Sequence, residues 1–153
     1  MTEPIEIRKT APDDPEAVAL VDAMSEEAAR VYADRPLPRA QPLSELLGPS
    51  GTVLVVTVGG ETIGCGSVRV IEPGVAEIKR MFVSPAWRGR GIGRQLLSAL
   101  EREATELGCP FARLDTGDRQ HAALALYRSA GYEPIDDYNG NRGATHWFEK
   151  RIG

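Results

Sequence analysis

Residues 88–93 read RGRGIG, and this spacing of arginine and glycine is the strongest chemical signal in the chain. A glycine-rich turn leading from a strand into a helix leaves several backbone N–H groups unpaired at the helix N-terminus, where the macrodipole also favours negative charge. Gly89, Gly91 and Gly93 let a ligand approach the backbone closely, while Arg88, Arg90 and Arg94 add charge and forked donors. The chemistry predicted is phosphate binding. A P-loop is excluded, because no Lys-Ser or Lys-Thr pair follows these glycines. A Rossmann turn requires G-x-G-x-x-G, and here Arg94 holds the place of the third glycine. Asp115, at the end of the next predicted strand, is the one feature that would suit a dinucleotide site.

Other reactive side chains offer less. His121 and His146 are the only histidines and have no metal-ligand partner at suitable spacing, so no metal is expected. Cys65 and Cys109 lie far apart, without disulfide or zinc spacing, and each reads as a small packing residue rather than a covalent acyl carrier.

The elements that must hold the glycine turn follow from periodicity. Ile5 and Ile7 alternate with polar neighbours as a short strand, ended by Pro12 and Pro15. Over 15–32, Val18, Val21, Met24, Ala28 and Val31 recur at helical spacing, with Glu26 placed to pair with Arg30. Three prolines make 34–42 a loop, and a helical piece follows at 43–47. The β-branched run 52–58, Gly59-Gly60 and the strand 61–71 form a hairpin, and Glu72-Pro73-Gly74 turns into a third antiparallel strand at 75–83. Ile92, Leu96, Leu100 and Leu107 mark a helix over 91–107 that begins inside RGRGIG. A strand at 111–115, Asp118 as N-cap, a helix over 120–130 closed by Gly131, and two strands around the turn-rich 139–143 complete the chain. Antiparallel hairpins together with a strand-helix-strand crossover predict an α+β domain spanning 1–153, with a mixed central sheet of about seven strands flanked by about four helices.

Composition sets outer bounds. The formal net charge of −4 provides no broad basic field for a nucleic-acid backbone, so anion binding must be local. With 42% hydrophobic and 26% charged residues the chain reads as soluble and globular. The N-terminal segment 1–10 lacks a signal-peptide core, and the apolar run 52–58 is too short to span a bilayer, so a cytoplasmic protein with neither membrane nor nucleic-acid partner is expected.

The stretch EIKRMFVSPAWRGRGIGRQLLSALE resembles the core motif of the GCN5-related N-acetyltransferase (GNAT) superfamily, [QR]-x-x-G-x-[GA], through Arg88, Gly91 and Gly93. A second signature of that family, N-x-x-A-x-x-L-Y-x-x-x-G-[FY], is matched by Gln120, Ala123, Leu126, Tyr127, Gly131 and Tyr132, with Gln120 in place of the usual Asn. The resemblance is strong over 52–134. It implies acetyl-CoA as co-substrate, with the pyrophosphate on Arg88, Gly89, Arg90, Gly91, Ile92, Gly93 and Arg94, and further contacts from Gln120, Ala123 and Tyr127. It also implies that the strand 75–83 splays from the next, so that pantetheine adds along Met81, Phe82 and Val83 and a backbone N–H near Met81 polarises the thioester.

The implied reaction is direct attack of a primary amine on the thioester in a ternary complex, without metal. An amine with a pKa of about 10.4 is mostly protonated at neutral pH and needs a base. Glu77, eleven residues before Arg88, matches the position of a catalytic Glu in several members, acting directly or through water. Lys79, on the same strand face, opposes a raised pKa there. Tyr127 matches the tyrosine that often donates to the departing thiolate, as an acid or as a positioning group. Homodimers are common among members. The acceptor, a small molecule or an amino acid, stays open: Arg35, Arg39 and Arg142 suit a carboxylate-bearing amine, whereas Asp115, Asp118, Asp136 and Asp137 suit a polyamine or an aminoglycoside. A catalytically silent acyl-CoA-binding module is the alternative.

Overall fold

A computed structural model describes residues 4–153; the first three residues of the segment read for a leader lie outside it. The strands are β1 (Ile5–Thr10), β2 (Thr52–Val58), β3 (Glu61–Glu72), β4 (Val75–Val83), β5 (Phe111–Thr116), β6 (Glu133–Ile135) and β7 (His146–Arg151). The helices are α1 (Pro15–Val31), α2 (Leu43–Leu47), α3 (Ile92–Glu106) and α4 (His121–Ser129). All seven strands join one sheet in the order β1-β2-β3-β4-β5-β7-β6, antiparallel except where β4 runs parallel to β5. That single parallel pair is the consequence of the α3 crossover, because a helix returns the chain to the starting edge of the sheet.

β2 explains why its sequence is apolar without alternation. Val53 and Val55 face α1 and α2, packing with Leu20, Val21, Leu46 and Phe82, while Leu54, Val56 and Val58 face the α3 side with Leu96, Leu97 and Leu100. A strand covered on both faces reads as a continuous hydrophobic run. Leu96 and Leu100 are fully buried, so truncating either to Ala would cost about 2–5 kcal/mol.

Helix α1 is placed as expected but rotated from the expected stripe. Its buried positions are Ala17, Leu20 and Val21, whereas Val18 is 41% and Val31 37% exposed. Of the expected stripe Val21 is buried and Met24 packs against the same core, while Ala17 and Leu20 take the inward places expected of Val18 and Val31, and small Ala17 allows close approach. The Asp14 carboxylate accepts from the Ala17 N–H at 3.0 Å and Pro15 occupies the first turn, fixing where the helix starts. The expected Glu26–Arg30 pair is not among the ion pairs of the described residues; Glu27 instead reaches Arg88 at 3.0 Å. Leu107 lies past the end of α3 and is 36% exposed. Asp118 does not cap α4: Gln120 is the capping residue, with no side-chain bond, and Asp118 pairs with Arg35 at 2.9 Å.

Candidate active site

The site exists because β4 parts from β5 while staying paired with β3. Its parallel ladder with β5 contains only Val75–Phe111, Ala76–Ala112 and Glu77–Arg113, although β4 continues to Val83 and β5 to Thr116. On the other side, Lys79 pairs with Ser67 and Phe82 with Cys65, so two β4 residues stand opposite one β3 residue. This bulge puts Arg80 at φ 61°, the only non-glycine residue with positive φ among the described residues. The carbonyls of Lys79 and Arg80 accept from side chains, Ser67 Oγ at 2.8 Å and Cys65 Sγ at 3.5 Å. Burial pushes the Cys65 thiol up to about 12, which keeps it protonated as a donor and unsuited to carrying an acyl group. The splayed strands open a cleft of about 1100 Å³.

One end of the cleft is the glycine turn. Gly91 caps α3 in the left-handed conformation (φ 78°), and a Cβ built on Gly89 or Gly91 would meet nothing within 4 Å. Bare backbone at the start of a fifteen-residue helix, facing open space, is the donor array that a pyrophosphate requires. The arginines behave differently from one another. Arg88 lines the cleft but is braced: Nε donates to the Val83 carbonyl at 2.8 Å, its other end pairs with Glu27, and the guanidinium lies over Phe82 at 5.2 Å. Arg90 stacks on Trp87 at 4.7 Å and Arg94 bonds Ser129 Oγ; neither is part of the lining. Met81, Phe82, Val83, Gly89, Ile92, Gly93, Gln120, Ala123 and Tyr127 all reach the cleft. Here the turn's charge braces the loop and its backbone presents the donors.

Tyr127 stands in the middle. Its ring packs against Tyr132 at 6.0 Å and Phe148 at 6.2 Å, and among the described residues no hydrogen bond engages its hydroxyl. Burial first, then the Asp115 charge, pushes its phenol up to about 12, so it stays protonated and able to donate.

The far end is a charged cluster that long-range pairing assembles. Glu77 is 1% exposed. Its Oε1 accepts from Arg69 Nε and Nη2 at 3.2 and 3.0 Å, and its Oε2 from Tyr138 Oη at 2.8 Å and Asn139 Nδ2 at 3.1 Å. Burial, followed by the Glu77 charge, pushes the Tyr138 phenol far above its ordinary value. Lys79 lies 3.9 Å from Glu77 but 2.9 Å from Asp115, which also accepts from Asn139 at 2.6 Å and Asn141 at 3.2 Å. Arg69, Arg80, Tyr138, Asn139 and Asn141 carried no sequence motif. Arg69 left a trace, since the hairpin register places it opposite Glu77, and Tyr138, Asn139 and Asn141 lie in the segment 138–145, which the family resemblance implies as part of the acceptor lining together with 34–42.

Two further pairs tie the loop 34–42 to the start of α4: Arg35–Asp118, and Arg119–Asp34 at 2.8 Å. Tyr32 sits beneath both arginines, at 4.8 and 5.3 Å, and its hydroxyl accepts from the Arg119 N–H at 3.0 Å. A side chain on Gly117 would collide with that hydroxyl, which is why the approach needs glycine. Of the candidate acceptor residues, Arg35, Arg39 and Asp115 line the cleft, whereas Arg142, Asp118, Asp136 and Asp137 do not. His121 and His146 lie outside it. Six basic and three acidic side chains line a cleft in an acidic protein, a local field suited to an anionic ligand.

The family model described as Acetyltransferase (GNAT) family matches residues 17–132. An IAA acetyltransferase of Azospirillum brasilense is 42% identical over 91 residues, covering 59% of this chain and 60% of that protein, so the match spans less than two thirds of its length. The uncharacterized N-acetyltransferase YjgM of Escherichia coli is 30% identical over 87% of this chain and 84% of its own. A Klebsiella pneumoniae structure described as a candidate acyl-CoA N-acyltransferase superposes with a TM-score of 0.82 at 31% identity, over 97% of this chain and 98% of that one. YncA of Salmonella typhimurium, solved with its cofactor acetyl-CoA, shares the fold with a TM-score of 0.70 at 22% identity, over 97% and 94%.

Proposed function

The chain belongs to the acetyltransferase (GNAT) family, and on that premise we propose that it transfers the acetyl group of acetyl-CoA to a primary amine of a small molecule or amino acid. The observation that carries this reading is one cleft joining the open glycine turn, the unengaged Tyr127 hydroxyl and the buried Glu77. Those residues fit the co-substrate: the N–H groups of 89–93 take the pyrophosphate and the β4 segment 81–83 takes the pantetheine arm. The two buried free thiols fit a reducing cytoplasm, and no helix among the described residues is long and apolar enough to cross a membrane.

In the reaction the amine nitrogen bonds to the thioester carbon, the C–S bond breaks with its electron pair on sulfur, and the nitrogen sheds a proton. Glu77 is the proposed acceptor of that proton. Because Arg69, Tyr138 and Asn139 occupy its acceptor positions, a bridging water serves better than direct contact. Tyr127 donates a hydrogen bond to the departing sulfur.

The test is twofold: calorimetric binding of acetyl-CoA, and CoA thiol release against a panel of primary amines. Binding with turnover on at least one amine is expected. Binding without turnover on any would favour a silent acyl-CoA-binding module, and absence of binding would overturn both readings.

A further inference from the structure

The charges around the acceptor end do not cancel. Each acid lining the cleft already has a basic partner: Glu27 has Arg88, Glu77 has Arg69, and Asp115 has Lys79, at 3.0, 3.0 and 2.9 Å. Arg35 is matched by Asp118 outside the lining. Two guanidiniums of the lining, Arg39 and Arg80, have no ion-pair partner among the described residues.

Arg80 is the more telling. It is half-buried, and its side chain takes no hydrogen bond among the described residues. Its backbone holds the left-handed conformation that asparagine or glycine adopts far more readily than arginine. Partial burial without a counter-ion and backbone strain both cost stability, and such costs cluster where a ligand is clamped. Arg80 has its pKa lowered first by burial, opposed by Cys65 and then by the Asp115 charge. It also precedes the end of β4 by three residues, about 10 Å of strand, which separates it from the glycine turn.

Building on the acetyltransfer reading, we propose that Arg80 holds an anionic group of the acceptor, so that the substrate class is a primary amine bearing a carboxylate. A planar guanidinium takes a carboxylate through two parallel N–H bonds. A polyamine or an aminoglycoside would find no uncompensated carboxylate in the cleft and would meet two uncompensated cations.

The test compares matched acceptors, aminoalkanoates and their carboxamides, in the wild type, Arg80→Gln and Arg80→Lys. The readout is the ratio of kcat/KM for carboxylate over carboxamide, divided between variants so that intrinsic amine reactivity cancels. Arg80→Gln is expected to lower that ratio roughly 10- to 150-fold, the range of a charged hydrogen bond, with Arg80→Lys intermediate. Calorimetric binding of the aminoalkanoate to the CoA-loaded protein supplies a readout free of turnover, and it should weaken by a similar factor in Arg80→Gln. An unchanged ratio with unchanged binding overturns the proposal. So does a loss confined to acetyl-CoA affinity, which would place Arg80 on the donor side. Aminoalkanoate binding that depends on Arg80 without acetyl transfer to any amine would sustain the subsite and sink the acetyltransfer reading alone.

Discussion

Tyr127→Phe separates two roles that a tyrosine at this position can have. A phenol pushed up to about 12 is a weaker acid than a thiol, which titrates near ~8.5. Full proton transfer from Tyr127 to the departing thiolate is therefore uphill by roughly 5 kcal/mol, at about 1.36 kcal/mol per pKa unit. The hydroxyl can still stabilise charge developing on sulfur by donating a hydrogen bond, worth about 1.5–3 kcal/mol to a charged acceptor. Its removal should then lower kcat by about 10- to 150-fold. Because no partner in the described structure uses the hydroxyl and the ring contacts to Tyr132 and Phe148 persist, stability should change by no more than about 0.5 kcal/mol. The assay is thiol release at saturating acetyl-CoA and acceptor, beside a denaturation midpoint. The rate of the wild type should show no alkaline limb from this group until the pH approaches 12. A loss below threefold would refute a role at sulfur. A loss near ~10⁴-fold with an alkaline limb around pH 10 would refute the hydrogen-bond account in favour of full proton donation.

Glu77→Gln should lower kcat by about 10²–10⁴-fold with little change in the KM for acetyl-CoA, measured on protein shown folded by circular dichroism, since Arg69 loses its charged partner. Gly91→Ala should destabilise the fold by about 1–2 kcal/mol, because the position is left-handed although a Cβ finds open space, and it should raise the KM for acetyl-CoA by placing a methyl group in the cradle. Asp34 has its pKa lowered from 3.8 to about 2, chiefly by its hydrogen bond with Arg119. A depressed carboxylate stabilises the folded state above the unfolded value and loses that contribution as pH falls through the folded one. The stability advantage of wild type over Asp34→Asn should thus be complete above pH 3.8, shrink toward pH 2 and diminish in high salt.

Local chemistry carried much of this protein. The glycine turn at 88–93, the tandem hairpins, the α3 stripe of Ile92, Leu96 and Leu100, and the Gln120-to-Tyr132 signature are all written within short windows, where periodicity and turn residues act without distant partners. That was enough for the sheet, its helices and the donor end of the cleft. At the acceptor end Glu77, Arg35, Arg39 and Asp115 were legible as residues, but their contacts were not, because these join residues that the fold alone makes neighbours. Tyr138 meets Glu77 across 61 positions, Lys79 meets Asp115 across 36, and Arg119 meets Asp34 across 85. The same holds for which face of α1 turns inward and for the bulge at Arg80, where register against β3 governs the backbone. RGRGIG marked the proposed anion cradle through properties of its own backbone. That its arginines brace the loop, and that the lining guanidiniums without an ion-pair partner among the described residues are Arg39 and Arg80, follows from which counter-ions the folded chain delivers to each guanidinium.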